Sequence, residues 1–167
     1  MNIRIGEIKD IKQLATVHYE SWISTYKGIF SKETIEKRTY ETVLEQWRPR
    51  LENKAVNYQC FLAETAKGEI VAFAECGKER TEKYGVDGEL YTIYMLEAYQ
   101  GKGIGKSLFY EVVEFLKEKG FQSFMLWVLK DNHSARRFYE KLGGELIAEK
   151  LIGDTDIVEV AYSWKNL

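Results

Sequence analysis

The chain has 167 residues, of which 45% are hydrophobic and 30% charged, as expected of a globular protein with one core. Its formal net charge of −2 gives no electrostatic reason to expect a nucleic-acid partner. Cys60 and Cys76 are too few for a disulfide framework, and His18 and His133 have no partners at metal-ligand spacing, so we expect no disulfides and no metal.

Hydropathy gives no reason to expect a membrane partner, because the sequence has no apolar run of about 18 residues. The opening MNIRIGEIKD lacks the apolar centre of a signal peptide. We therefore expect a cytoplasmic protein with one domain over residues 1–167.

The first half of the chain predicts a strand, two helical regions and a hairpin. IRIGEI fits a short strand, and apolar residues from Ile11 onward follow helical spacing. A second helical region is expected over 32–51, broken by Pro49, which does not suit a helix interior. Two apolar runs over 59–77, separated by the turn AKGE, predict a β-hairpin.

The second half alternates strands and helices. We expect, in order, a strand over 89–96, a helix over 103–119 that Gly120 ends, a strand over 123–129, a short helix within 134–144, and two strands between 146 and 164. Strand–helix alternation predicts a mixed α/β sheet with at least one parallel pair, and the hairpins predict that the rest is antiparallel.

The stretch QGKGIGKS at residues 100–107 is a candidate phosphate cradle. A Walker A loop needs glycine where Gln100 stands, and a dinucleotide-binding loop needs glycine where Lys106 stands. The pattern Gln/Arg-x-x-Gly-x-Gly/Ala is satisfied completely. Its glycines let the backbone approach a pyrophosphate, whose charge the N-terminus of the following helix stabilises.

Two motifs resemble the GCN5-related N-acetyltransferase (GNAT) superfamily. YMLEAYQGKGIGKSLF resembles the family's acetyl-CoA motif, and NHSARRFYEKLGG, residues 132–144, resembles its second conserved segment. Together with the strand between them, the motifs cover residues 89–144. The resemblance implies a GNAT fold, a mostly antiparallel sheet with one splayed parallel pair, flanked by helices.

The resemblance assigns the acetyl-CoA site. Backbone N–H groups of the glycine loop would hold the pyrophosphate, with the two lysines screening its charge at the rim; the loop residues are Gln100, Gly101, Lys102, Gly103, Ile104, Gly105 and Lys106. The pantetheine arm would pair with the backbone of Ile93, Tyr94 and Met95. Asn132 matches the asparagine that binds the pantetheine or the acceptor, although a helix N-cap explains it nearly as well.

The resemblance also suggests catalytic residues. Tyr139 matches the tyrosine that protonates the departing thiolate, the alternative being simple aromatic packing. Glu89, at the start of the central strand, is the first candidate for the base that takes the amine's proton, directly or through water, and a solvated carboxylate is an equal alternative. Glu75 is the second candidate. Cys60 and Cys76 are interpreted as structural thiols rather than acyl carriers.

The acceptor site is expected between the N-terminal helices and the 80–88 loop. Trp22 and Tyr26, four residues apart, would form an aromatic wall with cation–π potential, although core packing is the commoner meaning of such spacing. Tyr91 is placed with Glu89 and Ile93 on one face of the strand by alternation. Trp127 stands where the branch that acetylates ribosomal-protein N-termini has glutamate, which makes that substrate class less expected.

The predicted function is transfer of an acetyl group from acetyl-CoA to a primary amine of a small molecule, polyamine or peptide, by direct attack in a ternary complex. The alternative is a non-catalytic acyl-CoA-binding sensor, and Gln100 disfavours a nucleotide triphosphatase. The resemblance allows a homodimer, which no feature of the sequence decides.

Overall fold

A computed structural model describes residues 1–52, 55 and 57–167. Its seven strands are β1 (Asn2–Ile5), β2 (Gln59–Glu64), β3 (Ile70–Lys78), β4 (Gly88–Met95), β5 (Ser123–Leu129), β6 (Glu145–Leu151) and β7 (Val158–Lys165). They form one sheet in the order β1-β2-β3-β4-β5-β7-β6. All neighbouring pairs are antiparallel except β4 and β5. The predicted mixed sheet with one parallel pair is therefore confirmed.

The helices are α1 (Ile11–Tyr26), α2 (Lys32–Lys37), α3 (Tyr40–Glu52), α4 (Ile104–Glu118) and α5 (His133–Lys141). Apolar positions of α4 recur at helical spacing and are buried, including Ile104, Leu108, Val112 and Leu116. Gly120, with φ of +82°, follows the helix and supplies the left-handed residue that ends it. The sequence predictions for α4, β5 and α5 agree with these bounds to within a residue or two.

Each face of the sheet has its own core. One face packs Leu90, Phe124 and other strand residues against α4, with Phe109 and Val112 at the centre. The opposite face packs Phe73 and Leu62 against α1 and α3, with Trp47 fully buried. Between these two cores, β4 and β5 lie next to each other in the middle of the sheet, and the candidate site lies at this pair of strands.

The predicted helix break at Pro49 is wrong, because Pro49 lies inside α3. Its missing N–H leaves the Glu45 carbonyl without a helical partner, but both residues are exposed, so water can satisfy that group. Buried Trp47 anchors the same turn. The break falls instead at Thr39, whose hydroxyl accepts a hydrogen bond from the Thr42 N–H at 3.2 Å and caps α3.

A β-bulge in β4 corrects a second prediction. Glu75 pairs with Thr92 and Cys76 pairs with Leu90, so Tyr91 is the extra residue. After the bulge, Ile93 packs with Leu90 against the α4 core instead of sharing a face with Glu89. Simple alternation fails here because one unpaired residue shifts every later side chain to the other face.

In the described part of the chain, no helix is long and apolar enough to cross a membrane.

Candidate active site

A cleft opens where β4 and β5 separate. The two parallel strands pair only at Gly88 with Phe124 and at Glu89 with Met125, and then diverge. A cleft of about 580 Å³ extends from this point to the start of α4. Its lining includes most of the expected cofactor residues: Ile93, Tyr94, Met95, Gln100, Gly101, Gly103, Ile104, Gly105, Lys106, Asn132 and Tyr139.

The glycine loop is shaped to expose backbone N–H groups. Gly101 and Gly103 have φ of +73° and +82°, a region that side-chain-bearing residues avoid. Backbone hydrogen bonding by N–H groups stops at Gln100, which donates to the Glu97 carbonyl, and resumes at Ser107, which donates to the Gly103 carbonyl. The N–H groups of 101–106 thus have no backbone acceptor within the described residues. Such a row at a helix N-terminus is suited to bind an anion.

Close packing beneath the loop explains the third glycine. A Cβ added to Gly105 would lie 3.3 Å from the Met95 methyl carbon, which is tighter than ordinary packing. Glycine therefore lets α4 approach the end of β4. The two lysines differ in position: Lys106 lines the cleft, whereas Lys102 lies outside the lining with its ammonium 5.0 Å from the Tyr99 ring centroid.

Tyr139 brings a phenol to the wall of the cleft. The residue is 6% exposed, on the inner face of α5, and its hydroxyl has no hydrogen-bond partner among the residues that the structure describes. Burial raises the pKa of the phenol, and the nearby Tyr26 raises it further. The hydroxyl therefore keeps its proton at neutral pH and can donate it.

Asn132 serves as the N-cap of α5 while lining the same cleft. Its side-chain oxygen accepts a hydrogen bond from the Ala135 N–H at 3.2 Å. The amide nitrogen is directed elsewhere, so the capping interpretation and a ligand-binding role are compatible.

Aromatic side chains form the opposite end of the cleft. The hydroxyls of Tyr26 and Tyr94 are hydrogen-bonded at 3.1 Å, and both residues line the cleft. Trp22 lies behind Tyr26, with ring centroids 5.2 Å apart. On β5, Trp127 lines the cleft and holds the Lys150 ammonium 3.8 Å from its ring centroid. This aromatic end adjoins the N-terminal helices, where the acceptor side was predicted.

Comparison with known proteins agrees with this geometry. The model of the acetyltransferase (GNAT) family matches residues 18–144. An uncharacterised N-acetyltransferase of Bacillus subtilis is 36% identical over 100% of this chain and 94% of its own. A spermidine N(1)-acetyltransferase of Thermoplasma acidophilum is 32% identical over 97% of this chain and 98% of its own.

The chain belongs to the GNAT family. Among solved structures, PaiA N-acetyltransferase from Thermoplasma acidophilum, in complex with coenzyme A, matches with a TM-score of 0.80 and 28% identity, covering 98% of both chains. The protein is therefore an acetyltransferase of the GNAT fold, and the resemblance drawn from the two motifs is confirmed.

The two carboxylates predicted as bases are not part of the cleft lining of this acetyltransferase. Glu89 is 2% exposed and accepts hydrogen bonds from the Arg80 backbone N–H at 3.2 Å, from its Nε at 3.0 Å and from its Nη2. Tyr91 carries the same guanidinium over its ring, 4.8 Å from the centroid. Glu89 and Tyr91 thus share the Arg80 guanidinium at the bulge, where Tyr91 lines the cleft and Glu89 lies beside it.

Glu75 is likewise occupied by neighbouring donors. Its carboxylate accepts hydrogen bonds from Tyr58 at 2.5 Å, from Arg50 at 2.9 Å and from Thr92 at 3.1 Å. Arg50 lies on α3, Thr92 on β4 and Tyr58 just before β2, so Glu75 links α3 to the sheet. The two thiols are buried, and burial raises the pKa of both Cys60 and Cys76, so neither is an activated nucleophile.

Sequence reasoning missed several residues at the aromatic end. Ser24 and Thr25 line the cleft and lie in the sequence between Trp22 and Tyr26, which were predicted for the acceptor side. Tyr84 packs against Trp127, with ring centroids 5.4 Å apart. Arg38 lies 4.8 Å from the Trp22 ring centroid. Arg38 has no motif around it, and only the fold brings the link between α2 and α3 against His18 and Trp22 of α1.

Proposed function

We propose that this protein transfers the acetyl group of acetyl-CoA to a primary amine of a small molecule, polyamine or peptide, by direct attack in a ternary complex. The observation that carries the proposal is the single cleft between the diverging strands, which joins the glycine loop to Tyr139 and to the aromatic end. Donor and acceptor could meet there without a covalent enzyme intermediate.

The glycine loop and β4 fit a CoA thioester. Free N–H groups of 101–106 at the start of α4 suit a pyrophosphate, and Lys106 adds positive charge at the cleft wall. Beyond Glu89, the recorded pairing of β4 with β5 ends, so the backbone edge at Ile93, Tyr94 and Met95 is available to hydrogen-bond the amides of a pantetheine arm. Acetyl-CoA supplies the activated acyl group when bound.

Tyr139 is proposed as the general acid. Its protonated phenol lines the cleft without an internal partner, so it can donate a proton to a leaving thiolate at the moment of bond cleavage. Asn132, about two helix turns before it, would bind the pantetheine or the acceptor through its amide nitrogen.

Glu89 is proposed as the base that takes the proton of the amine. Glu89 would act through a water molecule, since its carboxylate is held by Arg80 beside the bulge rather than in the cleft lining.

The aromatic residues Trp22, Tyr26, Tyr91 and Trp127 would form the acceptor side. Their π-faces suit an amine before it loses its proton.

The test combines ligand binding with turnover. We expect thermal stabilisation by acetyl-CoA and CoA but not by ATP or NAD, and release of free thiol when a suitable amine is added. An equal response to ATP would refute the assignment of the glycine loop. Tight CoA binding with no thiol release across all amine classes would instead favour the sensor alternative.

A further inference from the structure

Arg38 is a cation without a matching carboxylate beside the aromatic end of the cleft. Three other basic residues near this end each have one: Arg50 contacts Glu75 at 2.9 Å, Arg80 contacts Glu89, and Lys150 contacts Glu159 at 3.1 Å. Arg38 forms no ion pair with any residue in the described ranges. The one side-chain hydrogen bond that it makes to a described residue runs from Nη2 to the Nε2 of His18, at 2.8 Å.

His18 cannot neutralise that charge. Burial, together with the nearby charges of Arg38 and Arg50, lowers the pKa of its imidazole to about 3, so His18 is neutral and only accepts the hydrogen bond. Half-buried Arg38 therefore keeps its full charge and most of its N–H groups available.

Several buried donors around Arg38 have no acceptor in the described part of the chain. Four buried polar atoms near it have no partner among the described residues: His18 Nδ1, Ser21 Oγ, Trp47 Nε1 and the Nε of Arg38 itself. With its Nε2 accepting from Arg38, His18 carries its proton on Nδ1, so three of the four are N–H donors. Buried donors without acceptors are costly, which makes this donor cluster an observation independent of the charge count.

Two contacts connect the donor cluster to the cleft. Trp22 lies under the Arg38 guanidinium and packs against Tyr26, a lining residue. His18 stacks on Tyr94, also a lining residue, with ring centroids 5.1 Å apart. Arg38 is thus one side chain away from the place proposed for the acceptor amine.

We propose that Arg38 binds a carboxylate of the acceptor, so that the substrate is an amine that also carries a carboxylate, as an amino acid or a short peptide does. This inference rests on the proposed function. An arginine fork pairs with a carboxylate through two N–H groups, and an unpaired cation repels a polyamine. The acceptor of this protein would then differ from spermidine, the substrate in the name of the Thermoplasma acidophilum relative.

The test compares acceptors that differ only in charge. Thiol release would be measured with α-amino acids, ω-amino acids and dipeptides, each beside its carboxamide, and with spermidine. We expect the best carboxylate acceptor to exceed its carboxamide in kcat/KM by about 10- to 100-fold, the range of a hydrogen bond to a charged group. Calorimetric binding of that acceptor to the CoA complex should show the same preference without turnover.

Variants assign the effect to Arg38. R38Q should remove the preference by raising KM for the carboxylate acceptor, leaving acetyl-CoA binding and turnover of the carboxamide unchanged, and R38K should restore part of it. R48Q, at an exposed arginine of α3 paired with Glu52, is the matched control and should behave as wild type.

The outcomes separate the two proposals. Acetylation of spermidine or of carboxamides as fast as of carboxylate acceptors would refute the role of Arg38 while leaving the acetyltransferase function intact. An equal loss on both acceptors in R38Q would refute it too. Absence of thiol release with every amine, despite acetyl-CoA binding, would refute the proposed function and this inference with it.

Discussion

The two ends of the cleft are built in opposite ways. At the cofactor end, residues 93–106 come from one continuous stretch and offer mainly backbone: a strand edge, a left-handed loop and the N-terminus of α4. At the acceptor end, side chains come from α1, β4, β5 and the link between α2 and α3. One end is encoded locally in the sequence, and the other exists only after the helices pack on the sheet.

This difference matches what each end is proposed to bind. Backbone N–H groups suit a ligand that never changes, because they depend on the chain's path rather than on particular side chains. Side chains on separate elements can be exchanged one at a time without disturbing the fold, and this suits a variable acceptor. Arg38, His18 and Trp127 are positions of this second kind.

The largest expected effect is at Tyr139, where the two ends meet. Y139F removes the proton that the leaving thiolate needs, and we expect kcat to fall by about 1,000-fold, within the range of general acid–base catalysis. The affinity for acetyl-CoA should stay within about threefold, since the ring is retained. Single-turnover kinetics and calorimetry would measure the two quantities.

The pH profile sharpens this prediction. Because burial raises the pKa of Tyr139 above its ordinary value of 10.0, the phenol stays protonated and active throughout the neutral and mildly alkaline range. Y110F, at an exposed tyrosine of α4, is the control. If Y139F turned over as fast as wild type at every pH, Tyr139 would be a packing residue only.

The second prediction compares two buried glutamates. We expect E89Q to lower kcat by about 100-fold, as loss of a proton acceptor would, and E75Q to lower stability while keeping kcat. The two residues match well, since they are 2% and 3% exposed and each contacts an arginine. Equal kcat in E89Q and E75Q, after correction for the folded fraction, would eliminate Glu89 as the base.

The third prediction concerns the acid sensitivity of the acceptor end. Since the pKa of folded His18 is about 3 against 6.5 in the unfolded chain, the unfolded state binds a proton first as pH falls. Stability is therefore lost below pH 6.5, by about 1.4 kcal/mol per pH unit, or about 2 kcal/mol at pH 5. Urea unfolding at several pH values measures this slope.

Two histidine variants test whether His18 causes this dependence of stability on pH. H18Q should lack it, since glutamine can still accept from Arg38 but does not titrate. H133Q, at the exposed histidine of α5, should retain it in full. A slope that persists in H18Q would show that another group causes the acid sensitivity.

The smallest effect is expected from a matched pair of glycines at the two ends of α4. Gly103 and Gly120 both have φ of +82° with no atom within 4 Å of an added Cβ. Alanine at either should cost about 1 kcal/mol of stability through backbone strain. Only G103A should also weaken acetyl-CoA binding, by about tenfold, because a methyl group there stands where the ligand approaches.

Thermal melts and titrations distinguish these two contributions. Equal acetyl-CoA affinities of G103A and G120A would mean that Gly103 shapes the helix start without touching the ligand. A larger loss of stability in G103A than in G120A would show that the loop is more strained than its φ angle alone implies.

The sequence determined the cofactor end almost completely. Three glycines at fixed spacing, an amphipathic helix after them and a second motif ending in two glycines specify the loop, α4 and α5, because each depends on contacts between near neighbours in the chain. The presence of a parallel pair in an otherwise antiparallel sheet follows from the alternation of elements and from the hairpins. Local periodicity and turn chemistry carry that information.

Tertiary structure decided the rest. The bulge at Tyr91 moved Ile93 away from the Glu89 face, and α3 tolerated Pro49 because Trp47 anchors its turn and water can solvate the freed carbonyl. The pairing of Glu89 with Arg80, and the unpaired charge of Arg38, depend on residues far apart in the chain or without a motif. Charge pairing and burial are properties of the packed molecule, and for that reason the sequence predicted aromatic residues of the acceptor end but not which of its charged groups are paired.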